Sequence, residues 1–77
     1  MNSEALINLL AEALDVDPKV LAPDTRIDSV AEWSSIGWLN IMAGLDESMG
    51  IQIPVKTIRG FRTVGDVVAY VGEHRAS

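Results

Sequence analysis

Apolar residues in this chain return at intervals of three and four, and that spacing restricts what it can fold into more than any single residue does. Leu6, Leu9, Leu10, Ala13 and Leu14 share one face of a helix of about three turns beginning after Ser3, with Ile7 on its flank. Val64, Val67, Val68 and Val71 form a similar stripe near the other end. Between them, Ile36, Leu39, Met42, Ala43, Leu45 and Met49 supply the stripe of a second helix that runs from Ser34 or Ser35 to about Met49, with Gly50 as its stop. Alternation of period two is confined to residues 51–54, and one short strand without a partner is not a sheet, so that segment is an extended connector. The pattern predicts an all-α fold with Leu10, Leu39 and Val68 buried on three facing helices.

The termini of these helices are marked by local chemistry. Glu4 sits in the first turn of the first helix, where the dipole favours a carboxylate. Thr63-Val64-Gly65-Asp66 reads as a capping box that opens the last helix. Residues 15–33 lose the helical period and contain Asp17-Pro18 and Pro23-Asp24 as turn signals, with a single helical turn starting at Pro18. A loop of that length is either functional or internally packed. Val16, Val20, Leu21, Ile27 and Val30 are expected to pin it over the bundle. Lys56, Arg59 and Arg62 recur every three residues around Ile58 and Phe61, the mark of a short helix or turn with a basic edge. That edge is read as a solvated charge run, with docking to an acidic partner as the sharper alternative.

One such pattern over 77 residues predicts one domain, residues 1–77, with an aliphatic core, because aromatic residues make up only 5% of the chain. With no cysteine there is no disulfide framework, no thiolate metal site and no protein thiol nucleophile. A net charge of −5 disfavours nucleic acid as a partner. The charge is uneven, with nine acids and two bases in residues 1–50 against two acids and four bases in residues 51–77. No apolar run is long enough to span a membrane, so a cytoplasmic monomer is expected. The chain has one histidine, in the last turn of the last helix, where a solvated role is expected, with Tyr70 covering the bundle edge and its hydroxyl in solvent. Serine catalysis needs a base within hydrogen-bond reach, and neither a glycine-rich phosphate loop nor a metal motif is present, so an enzyme is not expected.

The chemistry gathers at Glu32-Trp33-Ser34-Ser35-Ile36-Gly37-Trp38-Leu39-Asn40, where the loop gives way to the second helix with two hydroxyls at the junction. One serine can cap the helix while its neighbour presents its oxygen. Together with Gly50-Ile51-Gln52-Ile53-Pro54, Thr63-Val64-Gly65-Asp66 and the valine-rich last helix, this run resembles the acyl carrier proteins in order and spacing over nearly the whole chain. The family pattern is Asp-Ser-Leu, a helix, then Gly-Ile-x-Ile-Pro, and counting back from Pro54 places the modified serine at Ser35. Within the family it looks most like a branch of discrete carriers whose segment reads Glu-Trp-Asp-Ser-Leu-Gly-His-Leu-Asn.

The resemblance implies a small bundle of three main helices with a short helix before the last and a long first loop. It also implies a non-catalytic carrier with 4′-phosphopantetheine, drawn from coenzyme A, joined to Ser35 and holding acyl groups as thioesters for a fatty-acid-like, polyketide or related specialised pathway. Partners would be a phosphopantetheinyl transferase and the acyl-loading and acyl-processing enzymes, meeting Ser34, Ile36, Gly37, Trp38, Asn40, Asp46 and Glu47. No metal is implied. Two departures stand out: Ser34 replaces the family aspartate, and Gly37 and Asn40 stand where common fatty-acid carriers have acids, so Trp33 and Trp38 would offer apolar contacts instead. Gly37 either gives a partner close access to the backbone or relieves crowding beside Trp38, and Trp38 is either a partner hot spot or a partly buried wall. The alternative to a modified carrier is a carrier-like interaction module that is never modified.

Overall fold

The computed structural model describes residues 3–74. Four helices follow one another: α1 (Ser3–Leu14), α2 (Ser35–Met49), α3 (Val55–Ile58) and α4 (Val64–His74). The core is aliphatic apart from Trp33. Leu6, Leu10, Ala11 and Leu14 of α1 meet Ile41 and Leu45 of α2 and Val64, Val67 and Val71 of α4, while Leu21, Ile27, Ile51 and Ile53 close it from the connections. Val68 is half-buried at its margin.

The helix ends follow the local signals. α2 stops at Gly50, whose φ of 66° is the left-handed conformation that glycine adopts without a Cβ penalty. Pro18–Val20 forms the expected single turn, capped by the Asp17 carboxylate, which accepts from the Lys19 N–H at 2.9 Å. A second 3-10 turn, Ile27–Ser29, has no counterpart in the sequence reading. At α4 the Thr63 hydroxyl accepts from the Asp66 N–H at 3.3 Å, and the Asp66 carboxylate accepts from the N–H groups of Thr63 (3.1 Å) and Arg62 (2.8 Å). These backbone donors, Arg62's first, hold the Asp66 carboxyl below its ordinary value. A depressed folded-state value means the contribution is complete above the ordinary carboxylate range and is lost as pH falls through the lowered value. Asp66→Asn is therefore expected to flatten the acid limb of a melting-temperature profile, and an unaltered acid limb would show that this cap does not couple to folding.

The long loop is held as much by backbone as by apolar side chains. Ile27 N–H donates to the Arg62 carbonyl at 3.0 Å, Val64 N–H to Thr25 at 2.9 Å and Gly65 N–H to Pro23 at 2.8 Å, around an antiparallel pairing of Arg26 with Thr63. Leu21 and Ile27 are buried as expected and Val16 and Val30 half-buried, but Val20 stands in solvent and pins nothing.

The main correction concerns the face of α2. Leu39 is 64% exposed and Ile36 70% exposed, and Ala43 is exposed too, whereas Ile41 is fully buried. The inward row is Gly37, Ile41 and Leu45, spaced by four. Leu39 lies two residues from Ile41, about 200° around the helix, and so faces the opposite way. α2 is apolar on two faces, and its period alone does not say which one turns inward.

Candidate functional site

At the start of α2 the two serines divide the work. Ser34 is the cap: its backbone is extended (φ −91°, ψ −171°) and its Oγ accepts from the Gly37 N–H at 3.4 Å, while its carbonyl takes the Trp38 N–H at 2.9 Å. Ser35 is the first helical residue, exposed, and its hydroxyl makes no hydrogen bond to any described residue. It stands at the positive end of a 15-residue helix with no acid in the first turn, a favourable place for a phosphate oxygen.

Gly37, which the sequence offered either as an opening for a partner or as relief beside Trp38, lies inside the bundle. It is buried, and a Cβ there would collide with the Glu32 carbonyl oxygen and come within 2.8 Å of the Leu14 side chain. Having no Cβ, the residue lets the Glu32 carbonyl and the Leu14 side chain lie against the first turns of α2. Gly44, by contrast, would place a Cβ in ordinary contact, 3.5 Å from Leu9. Gly37→Ala is expected to destabilise by about 1–3 kcal/mol through overpacking, whereas Gly44→Ala is expected to gain up to about 1 kcal/mol of helix propensity. Denaturant midpoints of the two variants check this, and equal shifts would refute the close approach.

Trp33 is also corrected. At 6% exposure it lies under the site as part of the core, not on the partner surface, and its indole N–H has no acceptor among the described residues. Trp38 is half-buried, edge-on to Trp33 with ring centres 5.2 Å apart and stacked on Phe61 at 6.1 Å. Phe61 meets Tyr70 at 5.7 Å, and Tyr70 stacks on His74 at 3.9 Å. This continuous row was missed in sequence, where its members are far apart and belong to different elements. His74 is exposed, with its Nδ1 2.9 Å from the Tyr70 carbonyl oxygen.

The outer face of α2 carries Ile36, Leu39, Asn40, Ala43, Asp46 and Glu47, all exposed, with Val55 of α3 beside them in the chain's next exposed apolar position. α2 contains no base. Among the described residues no group of acids and histidine could hold a metal ion, and no helix is long and apolar enough to cross a membrane.

The start of α2 thus holds an exposed serine hydroxyl without a hydrogen bond among the described residues, at the end of the helix where a phosphate is favoured. The family model for the phosphopantetheine attachment site matches residues 4–71, and the chain belongs to that family, whose prosthetic group is phosphopantetheine. It is similar to the meromycolate extension acyl carrier protein of Mycolicibacterium aurum, 29% identical over 66 residues that cover 86% of this chain and 68% of that protein. The protein of that name from Mycobacterium tuberculosis is 27% identical over 86% of this chain and 57% of its own length. The fold matches the solution structure of a holo acyl carrier protein from Geobacter metallireducens with a TM-score of 0.71 at 22% identity, over 95% of this chain and 92% of that one.

Proposed function

We propose that this protein is an acyl carrier whose 4′-phosphopantetheine is attached to Ser35, serving a fatty-acid-like, polyketide or related specialised pathway. The observation that carries the assignment is the division of labour at the helix start: Ser34 Oγ is engaged as the cap, and Ser35 Oγ is exposed and without a hydrogen bond among the described residues. When bound, the group supplies a terminal thiol that holds an acyl group as a thioester, which a chain with no cysteine could not otherwise provide. The residues fit it. Ser35 provides the oxygen, and the first turn of α2 provides the positive field for the phosphate.

The partners proposed are a phosphopantetheinyl transferase and acyl-loading and acyl-processing enzymes. Ile36, Leu39 and Val55 would form the apolar centre of their contact, and Asp46 and Glu47 an acidic end. Incubation with a broad-specificity transferase and coenzyme A, followed by peptide mapping, tests the assignment. Modification is expected on the peptide containing Ser35; a chain that stays unmodified there, in its native source as well, would instead be an interaction module.

Position 34 makes a separable prediction. Ser34→Asp is expected to speed transfer through a charge-assisted contact with a basic transferase site, and to leave the melt almost unchanged because serine and aspartate are comparable caps. Transfer kinetics at two salt concentrations check it: the advantage should shrink as salt rises. Equal rates at low salt would show that the absent carboxylate does not limit modification.

A further inference from the structure

Among the described residues the large apolar side chains left exposed are Val20, Ile36, Leu39 and Val55. The last three belong to the face of α2 and α3 described above, and Val20 does not. It stands 52% exposed at the end of the Pro18–Val20 turn and, with the half-buried Val16 and Val30, lines an open depression on the long loop. Asp15, Asp17 and Glu32 line the same depression. No base does: of the two in the loop, Lys19 lies outside it and Arg26 is tied to Asp28 at 3.1 Å. An apolar surface with only acids beside it is complementary to an aliphatic side chain flanked by lysine or arginine.

The edge of this depression reaches the start of α2. Glu32 precedes Ser35 by three residues, and its carbonyl lies against Gly37. With no acid in the first turn of α2 and no charge on Ser34, Glu32 is the carboxylate nearest Ser35 along the chain. We propose that the depression is a docking site for the phosphopantetheinyl transferase, which places there an aliphatic side chain flanked by lysine or arginine while its active site faces Ser35. The inference rests on the attachment of the arm to Ser35.

Position sets the occupant. An enzyme that works on the terminal thiol can stand off by the length of the arm. The transferase cannot, because Ser35 Oγ must itself attack the phosphorus that bears the pantetheine: the pyrophosphate bond of coenzyme A breaks, the adenosine bisphosphate half leaves, and the hydroxyl proton passes to the enzyme. It must therefore touch what borders Ser35. The outer face of α2 offers it apolar contacts, and the loop depression adds the charge that fixes register and speeds encounter.

The test measures transfer from coenzyme A by a broad-specificity transferase to the whole protein, with peptide mapping to confirm Ser35. A triple variant, Asp15→Asn, Asp17→Asn and Glu32→Gln, removes the charge while keeping the cap at position 17, since asparagine caps as well as aspartate. A control triple, Glu4→Gln, Asp24→Asn and Glu73→Gln, makes the same change in net charge elsewhere, and every variant is checked for the parent's melt. The depression triple is expected to lose roughly tenfold in kcat/KM at low salt, through KM, and to approach the parent at high salt. Val20→Ser is expected to raise KM several-fold at both salt concentrations, and the control triple to behave as the parent does. Equal losses in the two triples, a loss that sits in kcat, or a Val20→Ser protein modified as readily as the parent would overturn the docking site and leave the attachment intact. A parent that sediments as a dimer, with a monomeric depression triple, would give the site to the basic edge of a second copy and overturn the proposal too. A parent that does not load on Ser35 would overturn the attachment and the docking site with it.

Discussion

Ser35→Ala is expected to take up no phosphopantetheine at all, while Ser34→Ala remains a substrate and melts at a lower temperature. On the proposed attachment the first effect is total, because the serine oxygen would itself be one end of the phosphodiester. Folding should hardly notice it, since Ser35 is exposed, makes no side-chain hydrogen bond to a described residue, and alanine is a good helix former at that position. The second substitution removes the oxygen that accepts the Gly37 N–H, at an expected cost of about 0.5–2 kcal/mol. Intact masses after incubation with coenzyme A and a broad-specificity transferase, alongside thermal melts, separate the two. A mass gain in Ser35→Ala, or a modified peptide that maps to Ser34, would reverse the assignment.

The parts of the fold that could be read from sequence are those whose signals are local. Gly50 ends α2 because of its own backbone freedom, Asp17 and Pro18 make their turn within a few bonds, and Thr63 and Asp66 cap α4 by reaching each other. The division between Ser34 and Ser35 is of the same kind, since it depends on which residue precedes the first helical one. Each answer involves groups within four residues, so neighbours in sequence are enough.

What was not legible depends on distant neighbours. The backbone bonds that tie residues 23–27 to the start of α4 join segments far apart in the chain, and no residue type announces them. Gly37 looked like an opening towards solvent because nothing in its surroundings in sequence shows that the Glu32 carbonyl and Leu14 come to rest against it. Trp33 and Trp38 looked alike in sequence, yet Trp33 is buried with the aliphatic core and Trp38 only half-buried, a difference set by neighbours distant in the chain. The aromatic row has the same origin: it exists only once α2, the link after α3 and α4 are side by side.

Ile41→Ala is expected to destabilise the protein by roughly 2–5 kcal/mol, while Leu39→Ala is expected to stay within about 0.5 kcal/mol of the parent. Both remove an aliphatic side chain from the same helix, two positions apart, so propensity and composition are nearly matched and only the direction of the side chain differs. Ile41 is fully buried in the core, in a row with Gly37 and Leu45, and its loss leaves a cavity there. Against a total stability of about 5–15 kcal/mol for a native domain, that loss is a large share. Leu39 gives up a side chain that water already surrounds. Denaturant melts of the two variants decide the orientation of α2, and a larger loss for Leu39→Ala would mean that the helix is turned the other way. With the orientation confirmed, an apolar residue kept 64% exposed one turn from Ser35 is left with its partners to explain it. A Leu39→Ala protein that melts normally but is modified more slowly would then place it in the contact with the transferase.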